Sequence, residues 1–394
     1  MQSRIQQLAK AYLPELINWR RHLHQHPELS YQEFETAKFV QDKLSEWGIP
    51  FQVMAGTGVI GLIKGNNPHK KIIALRADLD ALPIQEENNT SYQSCKPGIM
   101  HACGHDVHTA CLLGAAKILV ETKEHWEGTI KLIFQPGEEK NPGGASLLIK
   151  EGVLENPRPT AIFALHVHTA LEAGKVSFRG GKVMASADEI YITVHGKGGH
   201  AASPQAVIDP ILISAQLITA LQQVISRRND PFNPSVLSIT SIQGGNTTNV
   251  IPDQVKLMGT FRALNEKWRF EAHELIKKTT EQLVESMGGK ADLHIDIGYP
   301  CVFNEINLTK QTQQLACIFL GELNVAETEI RMGAEDFGFY AQEIPACFFR
   351  LGTRNTEKGI THGVHTSKFD VDESALEQGA GLLAWLAVTV NPTS

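Results

Sequence analysis

The chain is poor in the features that mark exported, membrane-bound or nucleic-acid-binding proteins. Its six cysteines (Cys95, Cys103, Cys111, Cys301, Cys317, Cys347) are sparse over 394 residues and form no CxxC pair. That spacing argues against a disulfide framework and for a reducing compartment. No stretch reaches the run of about 18 apolar residues that a membrane-spanning helix requires. The first ten residues, Met1 to Lys10, open an amphipathic helix rather than an apolar export segment, so a cytoplasmic location is expected and a membrane partner is not. Lys and Arg total 36 against 43 Asp and Glu, a formal charge of −7 with no basic stripe. Nucleic acid is therefore not an expected partner, and a small molecule is. Internal repeats and low-complexity segments are also missing, which leaves an ordinary globular chain.

At 394 residues the chain exceeds the size at which one hydrophobic core keeps growing, so two domains are expected. From the N-terminus, helical periodicity over about 6–19 and 33–47 gives way to buried apolar runs at Ile60–Ile63, Lys71–Ala77, Gly128–Gln135 and Thr160–His166, separated by helices and turns. This is the alternation of an α/β fold with a mixed, mostly parallel sheet and helices on both faces. From Ser186 the pattern changes to alternating, half-exposed strands at about 187–194, 235–242, 254–262 and 291–297, with helices at about 209–227 and 266–286. Strand, helix, strand, strand, helix, strand predicts a smaller α+β sandwich inserted in the first domain. The expected boundaries are 1–185 and 299–394 for the two parts of the first domain and 186–298 for the insert.

The densest chemistry lies in His101-Ala-Cys-Gly-His-Asp-Val-His108, where five potential metal donors fall within eight residues at the entry to a helix. Cys103 and His105, separated by one glycine, can bend toward one ion, and thiolate and imidazole both suit zinc and similar divalent metals. A polar helix-entry loop capped by Asp106 would use the same residues. Phe134-Gln-Pro-Gly-Glu-Glu139 places two adjacent carboxylates on a turn behind a strand, where neighbours point in different directions. One can bind metal while the other moves a proton during hydrolysis; a solvated acidic turn is the plain alternative. His166-Val-His168 offers two imidazoles on one strand face, of which one is expected to ligate, and Thr361-His-Gly-Val-His365 offers a last ligand. Asp78, Glu138, Glu139, His166 and His168 all follow apolar runs, where ligands collect in open α/β sheets. Gly198-Gly-His200 and Gly244-Gly-Asn-Thr-Thr-Asn-Val-Ile-Pro252 are either turn chemistry or a means of aiming polar groups at a substrate.

Taken in order, these motifs resemble the M20 metallopeptidases, within them the N-acyl-amino-acid amidohydrolases, hippurate hydrolases and auxin-conjugate hydrolases. The likeness runs through Arg20–Ser30, Arg76–Pro83, Met100–Asp106, Phe134–Glu139, Gly198–Ala202, Asn249–Asp253 and Met332–Phe337. It implies a site for two divalent ions (zinc, manganese, cobalt or nickel), with Cys103 bridging as thiolate, His105, Glu139 and His166 as ligands, and His365 completing the set. Glu138 would be the general base. The insert is similar to the family's lid and dimerisation domain, implying a homodimer, with His200, Asn249 and Arg262 contacting the substrate. The expected activity is removal of an acyl group from the nitrogen of an amino acid. Dipeptidase or carboxypeptidase action and a catalytically silent acyl-amino-acid binding protein are the alternatives. Ser203-Pro-Gln205 stands where many relatives have Pro-His, which removes any role for a second lid histidine.

Overall fold

A computed structural model describes residues 1–391. Two compact units emerge, one formed by residues 1–181, 303–329 and 336 onward, the other by 182–302 and 330–335. Among the described residues no helix is long and apolar enough to cross a membrane.

The first unit is built on an eight-stranded sheet of β1 (Phe51–Met54), β2 (Gly58–Lys64), β3 (Ile72–Asp78), β4 (Thr129–Gln135), β5 (Ala161–Glu172), β6 (Val176–Phe178), β11 (Val325–Glu327) and β12 (Ala346–Arg354), strands being numbered along the whole chain. Their order is β1-β2-β4-β3-β5-β12-β6-β11. The centre, β4-β3-β5-β12, is parallel, and antiparallel pairs lie to either side of it. Every residue of β4 is buried, which requires cover on both faces and explains the unbroken apolar run rather than an alternating one. Helices α1 (Gln2–Gln25), α2 (Phe34–Glu46), α3 (His105–Glu121) and α6 (Ala375–Thr389) share one core with this sheet. α3 and α6 are buried on most of their surface, the signature of helices enclosed by other elements.

The second unit is a four-stranded antiparallel sheet, β8-β9-β7-β10, of β7 (Asp188–His195), β8 (Ser235–Gln243), β9 (Gln254–Ala263) and β10 (Lys290–Ile297). β7 alternates, burying Ile190, Ile192 and Val194 while Glu189 and Tyr191 face solvent. The buried set packs on α4 (Pro210–Arg228) and α5 (Glu266–Ser286) through Ile213, Leu217, Leu221, Ala272 and Ile276. Both helices start where the local chemistry dictates. Asp209 accepts from the N–H groups of Ile211 and Leu212, with Pro210 following it, and Asn265 accepts from Trp268 N.

Candidate metal centre

The site of the first unit forms beyond the carboxyl ends of β3 and β4 and beside His166, which lies midway along β5. α3 begins at His105 because Gly104 takes a left-handed φ of 84°. A Cβ there would lie 2.6 Å from Val167 Cγ2, so only glycine lets the Cys103-Gly-His105 turn pack against β5. Asp106 is not the cap: it lies inside the first turn, and its carboxylate accepts from Arg20 Nε at 2.7 Å and pairs with His24 Nδ1 at 2.8 Å. That buried cluster ties α1 to the start of α3.

Two triads of potential ligands share the thiol of Cys103. In one, Cys103 meets His105 and His166; in the other it meets Glu139 and His365. Cys103 Sγ lies 3.4 Å from His166 Nε2 and 3.3 Å from His365 Nε2. Glu139 Oε1 is 3.2 Å from His365 Nε2 and 3.9 Å from His105 Nε2. Two ligand atoms each about 2.1 Å from one ion at a tetrahedral angle stand about 3.4 Å apart, so donors at the shorter of these separations could share a cation. His105 Nε2 is buried and makes no hydrogen bond, an arrangement costly without a partner such as a metal. Glu138 stands beside the triads, with Oε2 3.9 Å from His105 Nε2. Cys103, His105, His166 and Glu138 are all under a tenth exposed, whereas the His365 side chain is 51% exposed, so the site opens on that side. His365 has a φ of 61°, uncommon for a non-glycine residue, and its N–H bonds to Ala102 O at 2.7 Å.

The surrounding electrostatics prepare these donors for a cation. His166 Nδ1 faces Val167 O at 2.8 Å, which leaves Nε2 as a lone pair toward Cys103, and burial, His108 and Arg350 hold the imidazole neutral by pushing its pKa far down. Burial would also discharge His105, but Asp78, Asp80 and Glu139 outweigh it and raise the pKa to about 10. For Cys103, burial and then Glu139, Glu138 and Asp78 push the thiol well above its ordinary value. Only a positive charge in the cluster would favour the thiolate. Both ring nitrogens of His108, which with Asp78 and His105 forms a further group of possible donors, have protein partners: Nδ1 pairs with Asp78 at 2.6 Å and Nε2 accepts from Val167 N at 3.0 Å. Neither His168 nor His362 enters a candidate ligand group among the described residues.

Two carboxylates that the sequence motifs did not single out for a role organise the centre. Asp80 Oδ1 lies 3.2 Å from His105 Nδ1 and accepts from Glu138 N, while Oδ2 accepts from Glu139 N at 2.9 Å. One side chain thereby orients a histidine and the acidic turn together. Asp336 accepts from Arg76 Nη2 at 2.7 Å, from Gln135 Nε2 and from Ala145 N, bracing the ends of β3 and β4 from the far end of the chain. The available signal was an acid two residues beyond Asp78, and an acid in Met332–Phe337, but neither spacing names a partner.

The remaining candidates lie in the second unit. His200 and Asn249 are exposed and adjacent: His200 pairs with Val250 in a short antiparallel ladder, and Ala201 N bonds to Asn249 O at 3.0 Å. Arg262, half-buried on β9, donates from Nε to Thr260 Oγ1 at 3.2 Å.

Residues 74–388 match Peptidase family M20/M25/M40. Thermostable carboxypeptidase 2 of Saccharolobus solfataricus is 40% identical over 377 residues, spanning 95% of this chain and 94% of the relative. N-acetylcysteine deacetylase of Bacillus subtilis is 39% identical over 386 residues, 98% of this chain and 99% of the relative. The crystal structure of the Bacillus subtilis YXEP protein, described as a dinuclear metal binding peptidase from the M20 family, superimposes with a TM-score of 0.83 at 37% identity, covering 96% of this chain and 98% of that one. The chain belongs to the M20 peptidase family and is a metal-dependent amidohydrolase.

Proposed function

We propose that the protein hydrolyses the amide bond of N-acyl amino acids, with Glu138 as general base and two divalent ions held by Cys103, His105 and His166 and by Cys103, Glu139 and His365. The observation that carries this reading is the pair of triads sharing one thiol with a second acid at their edge. Zinc, manganese, cobalt or nickel would fit a mixed sulfur, nitrogen and oxygen set. Such ions supply polarisation of the scissile carbonyl and acidification of a water. Glu138 takes the proton of the attacking water and returns it to the departing nitrogen. Its neighbour Glu139 is committed to the ligand cluster, so adjacent acids divide the two tasks. His200, Asn249 and Arg262 would recognise the substrate, Arg262 suiting a carboxylate through its planar fork, and the second unit would pair two subunits as a homodimer.

Support for the acyl specificity comes from the deacetylase relative; the carboxypeptidase relative at 40% identity favours a second reading, cleavage of short peptides. A panel of N-acetyl and N-benzoyl amino acids beside dipeptides with free amino ends separates the two, with zinc, manganese or cobalt returned to chelated enzyme. For the base, Glu138→Gln is expected to keep its metal content while kcat falls at least about a hundredfold. Full turnover in that variant would refute the assignment.

A further inference from the structure

We propose that Tyr31 and Glu33 form a clamp that fixes the reach of Glu138, making both of them positioning residues for its proton transfer. The inference rests on Glu138 being the base.

Glu138 and Glu139 stand on the turn that follows β4, and a turn holds a side chain only as well as its backbone is held. Here three consecutive N–H groups are each taken by a buried carboxylate. Gly137 N donates to Glu33 Oε1 at 2.8 Å, Glu138 N to Asp80 Oδ1 at 3.0 Å, and Glu139 N to Asp80 Oδ2 at 2.9 Å. Asp80 also touches His105 and so answers to the ligand cluster. Glu33 does not: its other bonds are from Tyr31 N at 2.8 Å and from Thr57 Oγ1 at 2.6 Å. It is fully buried, and its bonds run to the turn, to Tyr31 and to the β2 entrance.

Tyr31 supplies the other jaw. Its φ is 66°, a left-handed conformation that bulky residues rarely adopt, and the bond from its N–H to Glu33 helps retain it there. In that conformation the phenol ring lies against Gly137, where any Cβ would run into the ring. The hydroxyl then reaches past the acid pair, donating to Lys140 O at 2.6 Å and accepting from Gly143 N at 3.1 Å. The turn is gripped at Gly137 before Glu138 and at residues 140–143 after Glu139, by two residues that lie two positions apart on one loop. A shift of a fraction of an ångström at the acid would misplace it against the atoms between which it carries a proton, and displacements of that order cost catalysis steeply.

Tyr31→Phe removes only the hydroxyl, keeping the ring on Gly137, and Glu33→Gln keeps the shape while weakening the acceptor. Each is expected to lower kcat about tenfold with KM and bound metal unchanged. The decisive measurement is a cycle with Glu138→Gln on the dinuclear holoenzyme. In that background Tyr31→Phe should cost less than about twofold, because the group it positions has already been disabled. A full tenfold loss in both backgrounds, or parental kcat in both single variants, would overturn the clamp. Parental turnover in Glu138→Gln alone would instead sink the base assignment and leave the clamp nothing to position. Because Tyr31→Phe alters a partly exposed hydroxyl, it tests the idea even if Glu33→Gln fails to fold.

Discussion

Replacing Gly104 by alanine separates what the backbone costs at the site from what packing costs. The residue has a φ of 84°, so an alanine pays about 1–2 kcal/mol for the left-handed conformation. Its Cβ would also stand 2.6 and 2.9 Å from the two γ-carbons of Val167, an overpacking that costs about 1–3 kcal/mol. Together these give about 2–5 kcal/mol. Gly48 provides the control: its φ is 66°, and a Cβ there meets nothing within 4 Å, so Gly48→Ala should lose only the first contribution, about 1–2 kcal/mol. Urea melts of the metal-saturated proteins read the difference. Because Val167 follows His166 and donates to His108, a displaced Val167 should also cost the Gly104 variant bound metal, which the Gly48 variant keeps. Val167→Ala removes both crowding carbons, so combined with Gly104→Ala it should cost at least about 1 kcal/mol less than the sum of the two single changes. Equal destabilisation of the two glycine variants, or strict additivity with Val167→Ala, would show that the close approach of α3 to β5 does not shape the site.

Asp80→Asn should lower metal affinity by about ten- to a hundredfold, since His105 and the acidic turn lose a shared carboxylate; competition with a chelator measures it, and unchanged affinity would contradict the orienting role. With His105 raised to about 10 and the Cys103 thiol also pushed up, the metal-free site holds both protons at neutral pH. Metal must expel them, so affinity should rise with pH from 7 toward 10, and calorimetry in buffers of different ionisation enthalpy should count about two protons released per site at pH 7.5. A pH-independent affinity would show that the site is already deprotonated.

The parts of the molecule that could be read from the sequence are those fixed by short-range chemistry. Apolar runs announced the buried strands of the central sheet, and the change from continuous to alternating runs near Ser186 reflects the change from a sheet covered on both faces to one with a solvated side, as β4 and β7 demonstrate. Cys103 and His105, or Glu138 and Glu139, stand out because each pair falls within one local motif. Long-range pairings stayed hidden. Asp336 bracing Arg76 across 260 residues leaves no periodic trace, and Asp80 looks like one more acid at a strand end until the N–H groups of Glu138 and Glu139 are seen to close on it. The capping role that was the plain alternative for Asp106 illustrates the same limit. Its position in the first turn of a helix suited a local partner, but Arg20 and His24, on another helix, offer a buried charge-assisted pairing that a single backbone N–H cannot match. His365 marks the boundary between the two regimes. Its residue type allowed a ligand role, yet what brings it beside Cys103 is long-range: its own N–H bonds to Ala102 O, and Ser367 and Phe369 accept bonds from Glu87 and Asn88, pairings between the C-terminal segment and residues more than 200 positions earlier that no local pattern announces.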